Sequence, residues 1–118
     1  AKLIRFPGGS SNTVSARYDG GARIMSTLIN EVQNRGYQYF DWNVSSGDAT
    51  GKKLSPMDVY NNVISGISES KNSIVLQHDM KEFSVDAVES IIIWGLENGY
   101  QFSALTIDSP TCHHKISN

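Results

Sequence analysis

Ile74-Val75-Leu76-Gln77-His78-Asp79 reads as a short strand of branched and apolar residues that runs out into a histidine and an aspartate. Open α/β sheets place reacting and ligand-binding groups at such strand ends. A strand-end histidine is also commonly a hydrogen-bonded structural residue, so the neighbouring stretches have to decide its role.

Outward from that strand, the chain alternates. Upstream, Ser55-Pro56 is a helix start, with a hydroxyl N-cap, proline at the first helical position and Asp58 facing the positive end of the dipole. The helix runs to about Ser70 and buries Val59, Val63 and Ile67, joined by Tyr60 and Ile64. Before it, aromatic-rich Tyr37 to Val44 reads as a strand ending in Asp41-Trp42-Asn43, followed by a polar loop through Asp48. From Ala22 to Arg35, Ile24, Leu28 and Val32 recur every four residues, with Met25 and Ile29 beside them, and Gly36 supplies the stop. Leu3 to Phe6 reads as a strand end, closed by the turn Pro7-Gly8-Gly9.

Downstream of His78, Ser84 caps a third helix that carries Val88, Ile91, Ile92 and Leu96 towards a core before Gly99. Phe102 to Ile107 reads as a further strand. The segment from Pro110 reads as a disordered tail, so residues 1–109 form the domain and 110–118 the tail. The order predicts an α/β fold of about four parallel strands and three helices, joined by right-handed crossovers.

Composition narrows the function. With 118 residues and a formal charge of −2, the chain holds one core and lacks the basic excess that nucleic acid or an anionic membrane requires. No apolar run approaches the roughly 20 residues of a membrane span, and no targeting signal opens the chain. A strand almost at Ala1 leads us to expect further sequence upstream. The lone Cys112 excludes an internal disulfide. Cys112-His113-His114 is compact enough to hold a metal weakly, but it falls in the expected tail; His-x-x-x-His, Gly-x-Ser-x-Gly and a phosphate-binding loop do not occur.

Three strand ends carry candidate chemistry. Arg5, beside the Pro-Gly-Gly turn, can hold a carboxylate in a forked pair, and the turn can offer backbone N–H groups to an oxyanion; a plain turn with a surface arginine fits as well. Asp41 can hydrogen-bond an imidazole nitrogen of His78 and fix its tautomer, making the histidine a general acid, or it can be a simple turn aspartate. Trp42 can wall a groove for a sugar ring or face a helix. Asp48 fits a rim contact or, more simply, a turn residue.

Together, Arg5-Phe6-Pro7-Gly8-Gly9, then Tyr39 through Asp48, then Ile74 through Asp79 resemble the third, fourth and fifth motifs of the polysaccharide deacetylases, the NodB-like carbohydrate esterase family 4. Order and spacing match from Leu3 to about Thr106, and the Ser46-Gly47-Asp48 loop is similar to the Gram-positive branch. The resemblance implies the C-terminal part of a distorted (β/α) barrel that removes N-acetyl groups from glycans such as peptidoglycan or chitin, with a divalent metal, usually zinc. It implies that Arg5 orients the catalytic base, and that the Gly8 N–H, where relatives often have tyrosine, helps bind the oxyanion. It further implies that Asp41 holds His78, Trp42 walls the groove, Leu76 lines the acetyl-methyl pocket and His78 protonates the departing amine.

The family's first two motifs, Asp-Asp and His-x-x-x-His, supply the base and the metal ligands, and neither occurs here. The expectation is therefore an enzyme part that is inactive alone, with no metal bound to it, a cell-surface setting, and self-association through the strand at residues 3–6. A non-catalytic carbohydrate-binding module on the same fold is the alternative, and a flavodoxin-like regulatory domain a weaker one.

Overall fold

The computed structural model describes residues 1–18 and 23–118. The chain divides into two compact units, Ala1–Asp41 with Leu105–Asn118, and Trp42–Ala104.

In the first unit, β1 (Leu3–Ile4) pairs in parallel with β2 (Gln38–Tyr39), joined through helix α1 (Ile24–Asn34). The expected start of this helix at Ala22 lies outside the described residues. Its buried face is centred on Met25 and Ile29, while Leu28 is exposed. These two side chains pack with Phe6 and Tyr39, and Ile4, Ile24, Val32 and Ile116 surround them.

The second unit pairs β3 (Val44–Ser45) in parallel with β4 (Val75–Leu76), in the register Val44 to Val75 and Ser45 to Leu76. Between them lies α2 (Pro56–Ser68), which starts as its sequence predicts. The Asp58 N–H donates to Ser55 Oγ at 3.1 Å and the Ser55 N–H to Asp58 Oδ2 at 2.8 Å, a complete capping box. Val59, Val63 and Ile67 are buried on one stripe and pack against Ala87 and Ile91. After β4 come the short α3 (Glu82–Asp86) and α4 (Val88–Glu97). Gly66 lets α2 close on β3, because a Cβ there would fall 2.5 Å from Val44 Cγ1.

Four expectations are corrected. Tyr37 to Val44 is not one strand: pairing stops at Tyr39 and resumes at Val44, because the Asn43 side chain bonds the Asn72 carbonyl and the Ile74 N–H. The strands accordingly form two two-stranded sheets. Phe102 to Ile107 is not a strand, since the Thr106 N–H is taken by the Ser109 hydroxyl at 2.8 Å and no backbone ladder holds the segment among the described residues. Ser84 does not cap a helix; α3 begins after Lys81, and Ser84 lies buried within it.

The fourth concerns the segment after Pro110, which is packed rather than a disordered tail. The Asp41 N–H donates to the Cys112 carbonyl at 2.8 Å, the His113 ring stacks on Tyr39 at 3.8 Å, and the Asn118 carbonyl accepts from the Ser26 N–H. A polar C-terminal segment of this kind is ordered by backbone pairing that its own sequence does not announce.

Candidate active site

The parallel pairing of β3 with β4 determines what meets at their carboxyl ends. Ser46 continues the ladder, its N–H donating to the Leu76 carbonyl at 3.1 Å. Gly47 then turns the chain at φ 74°, a left-handed conformation that glycine adopts without steric cost. That turn aims Asp48 back at the end of β4. The Asn62 side chain fixes the turn from α2 by donating to the Ser46 carbonyl at 2.9 Å.

Asp48 is 4% exposed and receives hydrogen bonds on both carboxylate oxygens. Oδ1 lies 2.8 Å from His78 Nδ1, and Oδ2 accepts from the His78 N–H at 2.7 Å and the Ser84 hydroxyl at 2.6 Å. Burial alone pushes the carboxyl pKa up; the Ser84 hydroxyl, the His78 N–H and ring, and the Ser46 hydroxyl outweigh it and hold the group at about 2. Asp48 is thus an anion at neutral pH, and it fixes the imidazole so that Nδ1 shares its proton with the carboxylate. The His78 side chain is 33% exposed, so Nε2 is the nitrogen available to a reacting group. Leu76, the last residue of β4 and two positions before His78, is half-buried.

This corrects the expected partner of His78, which is Asp48 and not Asp41. Asp41 spends its oxygens within the first unit. Oδ1 accepts from the Ser10 N–H at 2.8 Å, and Oδ2 accepts from the Ser10 hydroxyl and from the His114 N–H at 2.8 Å. Burial raises this carboxyl too, and the Ser10 and His114 donors reverse the shift and leave it lowered. Asp41 acts as a clamp, tying the chain after the glycine turn to the C-terminal segment.

The remaining expected residues divide between the units. Arg5 is exposed after β1. Gly8 has φ 73°, and its exposed N–H donates to no protein atom among the described residues, whereas the Gly9 N–H closes the turn onto the Phe6 carbonyl at 2.8 Å. Such a free donor suits an oxyanion. Trp42 opens the second unit and is half-buried. Arg5, Gly8 and Asp41 belong to the first unit and Trp42, Leu76, His78 and Asp48 to the second, and among the described residues β1–β2 and β3–β4 are separate sheets rather than one.

No group of three or more His, Cys, Asp or Glu that could hold an ion exists among the described residues. His113, the centre of the Cys-His-His run, stacks on Tyr39 and places Nε2 3.0 Å from the Tyr39 carbonyl.

Within the second unit, parallel strands bring a histidine onto a buried carboxylate, an arrangement suited to proton transfer. No family model matches the sequence, and no curated protein matches it significantly. Solved structures do. The catalytic domain of peptidoglycan N-acetylglucosamine deacetylase from Eubacterium rectale is 58% identical over 100% of this chain and 53% of its own, with a TM-score of 0.95. A polysaccharide deacetylase from Bacillus cereus is 27% identical over 94% of this chain and 52% of its own, at a TM-score of 0.64. A Streptococcus mutans CE4 esterase, 23% identical over 86% of this chain and 42% of its own at a TM-score of 0.62, shares the fold. The structural neighbours of this chain are therefore polysaccharide and peptidoglycan deacetylases, as its three motifs imply. The chain spans about half the length of each.

Proposed function

We propose that this chain is the acid-side, C-terminal part of a barrel-type, metal-dependent carbohydrate N-deacetylase acting on N-acetylated glycans such as peptidoglycan or chitin at the cell surface. The observation that carries this reading is the Asp48–His78 pair at the ends of β3 and β4, in a chain 58% identical to a peptidoglycan deacetylase domain.

Hydrolysis of an acetamide breaks its C–N bond after water adds to the carbonyl, and the amine departs only once protonated. His78 Nε2–H is the donor for that proton, with Nδ1 held by Asp48. Leu76, at the end of β4, receives the acetyl methyl. The Gly8 N–H supports the developing oxyanion; one such donor stabilises a transition state by about 3–4 kcal/mol. Trp42 offers a flat wall to a sugar ring, and Arg5 a guanidinium to orient a carboxylate base. That base and the ligands for a divalent metal, zinc by family usage, come from outside this sequence, so the chain alone is inactive.

The test is acetate release from an N-acetylglucosamine oligomer. The 118-residue chain should release none. Joined to the remaining half of the Eubacterium rectale domain, it should become active with added zinc and lose activity on His78→Gln. Metal-dependent turnover by the chain alone, or an active joined protein indifferent to His78→Gln, would refute the proposal.

A further inference from the structure

Away from His78, the second unit carries a groove of about 380 Å³ between the start of α2 and the α3–α4 segment. Its walls are aromatic and apolar, from Tyr60, Trp94, Met57 and Ile93, and its charged groups are the carboxylates of Asp86 and Glu97. Met57 and Ile93 are 61% and 47% exposed, so this is open apolar surface. The Trp94 indole is held in place by stacking on Tyr100 at 5.4 Å and 25°. No lysine or arginine lines the groove, and neither carboxylate is ion-paired among the described residues.

We infer that this groove binds a glucosamine-containing stretch of glycan, that is, an amino sugar whose nitrogen is free and protonated. The groove asks for an occupant that is both flat-faced and cationic. A pyranose ring presents C–H groups to the indole, and its ammonium answers the unpaired carboxylates and the π-face. Asp86 closes α3 and Glu97 closes α4, so the two carboxylates flank α4, roughly 16 Å apart at 1.5 Å per helical residue, which spans more than one sugar unit. The choice of a glycan rests on the deacetylase reading, whose reaction converts a neutral acetamide into this cation. The groove then holds the enzyme on polymer that has already been processed.

The experiment is a titration of the 118-residue chain, followed by NMR, with a glucosamine hexamer, an N-acetylglucosamine hexamer and a lysine hexapeptide. The glucosamine hexamer should shift the Trp94 indole N–H resonance and bind about tenfold more tightly than either other probe. Asp86→Asn with Glu97→Gln, both exposed changes, should weaken it about tenfold, and Trp94→Ala should abolish it. If Trp94→Ala fails to fold, the double carboxylate variant alone decides. No binding of the glucosamine hexamer, equal binding of the lysine peptide, or binding untouched by the carboxylate changes would overturn the inference. Acetate release by the joined protein is read separately, so the two proposals fail independently.

Discussion

His78 Nδ1 and Asp48 Oδ1 lie 2.8 Å apart, and the same carboxylate also accepts the backbone N–H of His78. One aspartate therefore fixes both the ring and the main chain of the proton donor. In the joined protein, Asp48→Ala should lower kcat by about 10²–10⁴-fold while moving KM little, because the histidine loses its tautomer and aim. Unchanged kcat in a folded variant would remove Asp48 from the mechanism.

Asp41 should behave differently. Asp41→Ala strips a buried acceptor from Ser10 and from the His114 N–H, and is expected to cost on the order of 3 kcal/mol of stability and to loosen residues 112–118. Urea unfolding and amide exchange in that segment measure both; protection retained there would contradict the clamp.

Acid should unfold the chain through the same two carboxylates. Asp48 is held at about 2 in the fold, below its unfolded value near 4. The folded state thus binds fewer protons in between. The stabilisation, about 2 kcal/mol, is complete above about pH 4 and lost as pH falls towards 2. The lowered Asp41 adds in the same direction. Asp48→Asn should flatten the fall in stability between pH 4 and 2, followed by circular dichroism.

Gly66→Ala tests how α2 supports the site. The added methyl meets Val44 at 2.5 Å, so helix or strand must shift at a cost of about 1–3 kcal/mol. Because β3 leads directly into Asp48, the His78 resonances should move as well. Thermal melting and NMR would show it, and a neutral substitution would mean that the contact relaxes freely.

The chain by itself is expected to associate, since among the described residues β1 has β2 as its one strand neighbour and such an open edge can pair with another copy. Light scattering across a concentration series should show a rising mass. A strictly monomeric profile at high concentration would argue against edge pairing.

Local sequence determined the local structure of this protein. Ser55-Pro56 with Asp58 specifies a helix start because capping involves residues a few positions apart, and Val59, Val63 and Ile67 form a buried stripe because helical periodicity places them on one face. His78 was legible as a strand-end group for the same reason, as were the three motifs that carry the deacetylase resemblance. Tertiary structure decided which carboxylate serves that histidine. Asp41 and Asp48 both follow strand-like residues, and nothing local separates them. The choice rests on where pairing with β4 resumes, on the Asn43 side chain that restarts it and on Ser84, thirty-six positions from Asp48 in sequence, whose hydroxyl completes the carboxylate's shell. It likewise ordered Cys112 to Asn118, a segment whose composition reads as loose, through hydrogen bonds to Asp41, Tyr39 and Ser26. Contacts between residues so far apart depend on register and burial, which a chain acquires only when its strands have found their partners.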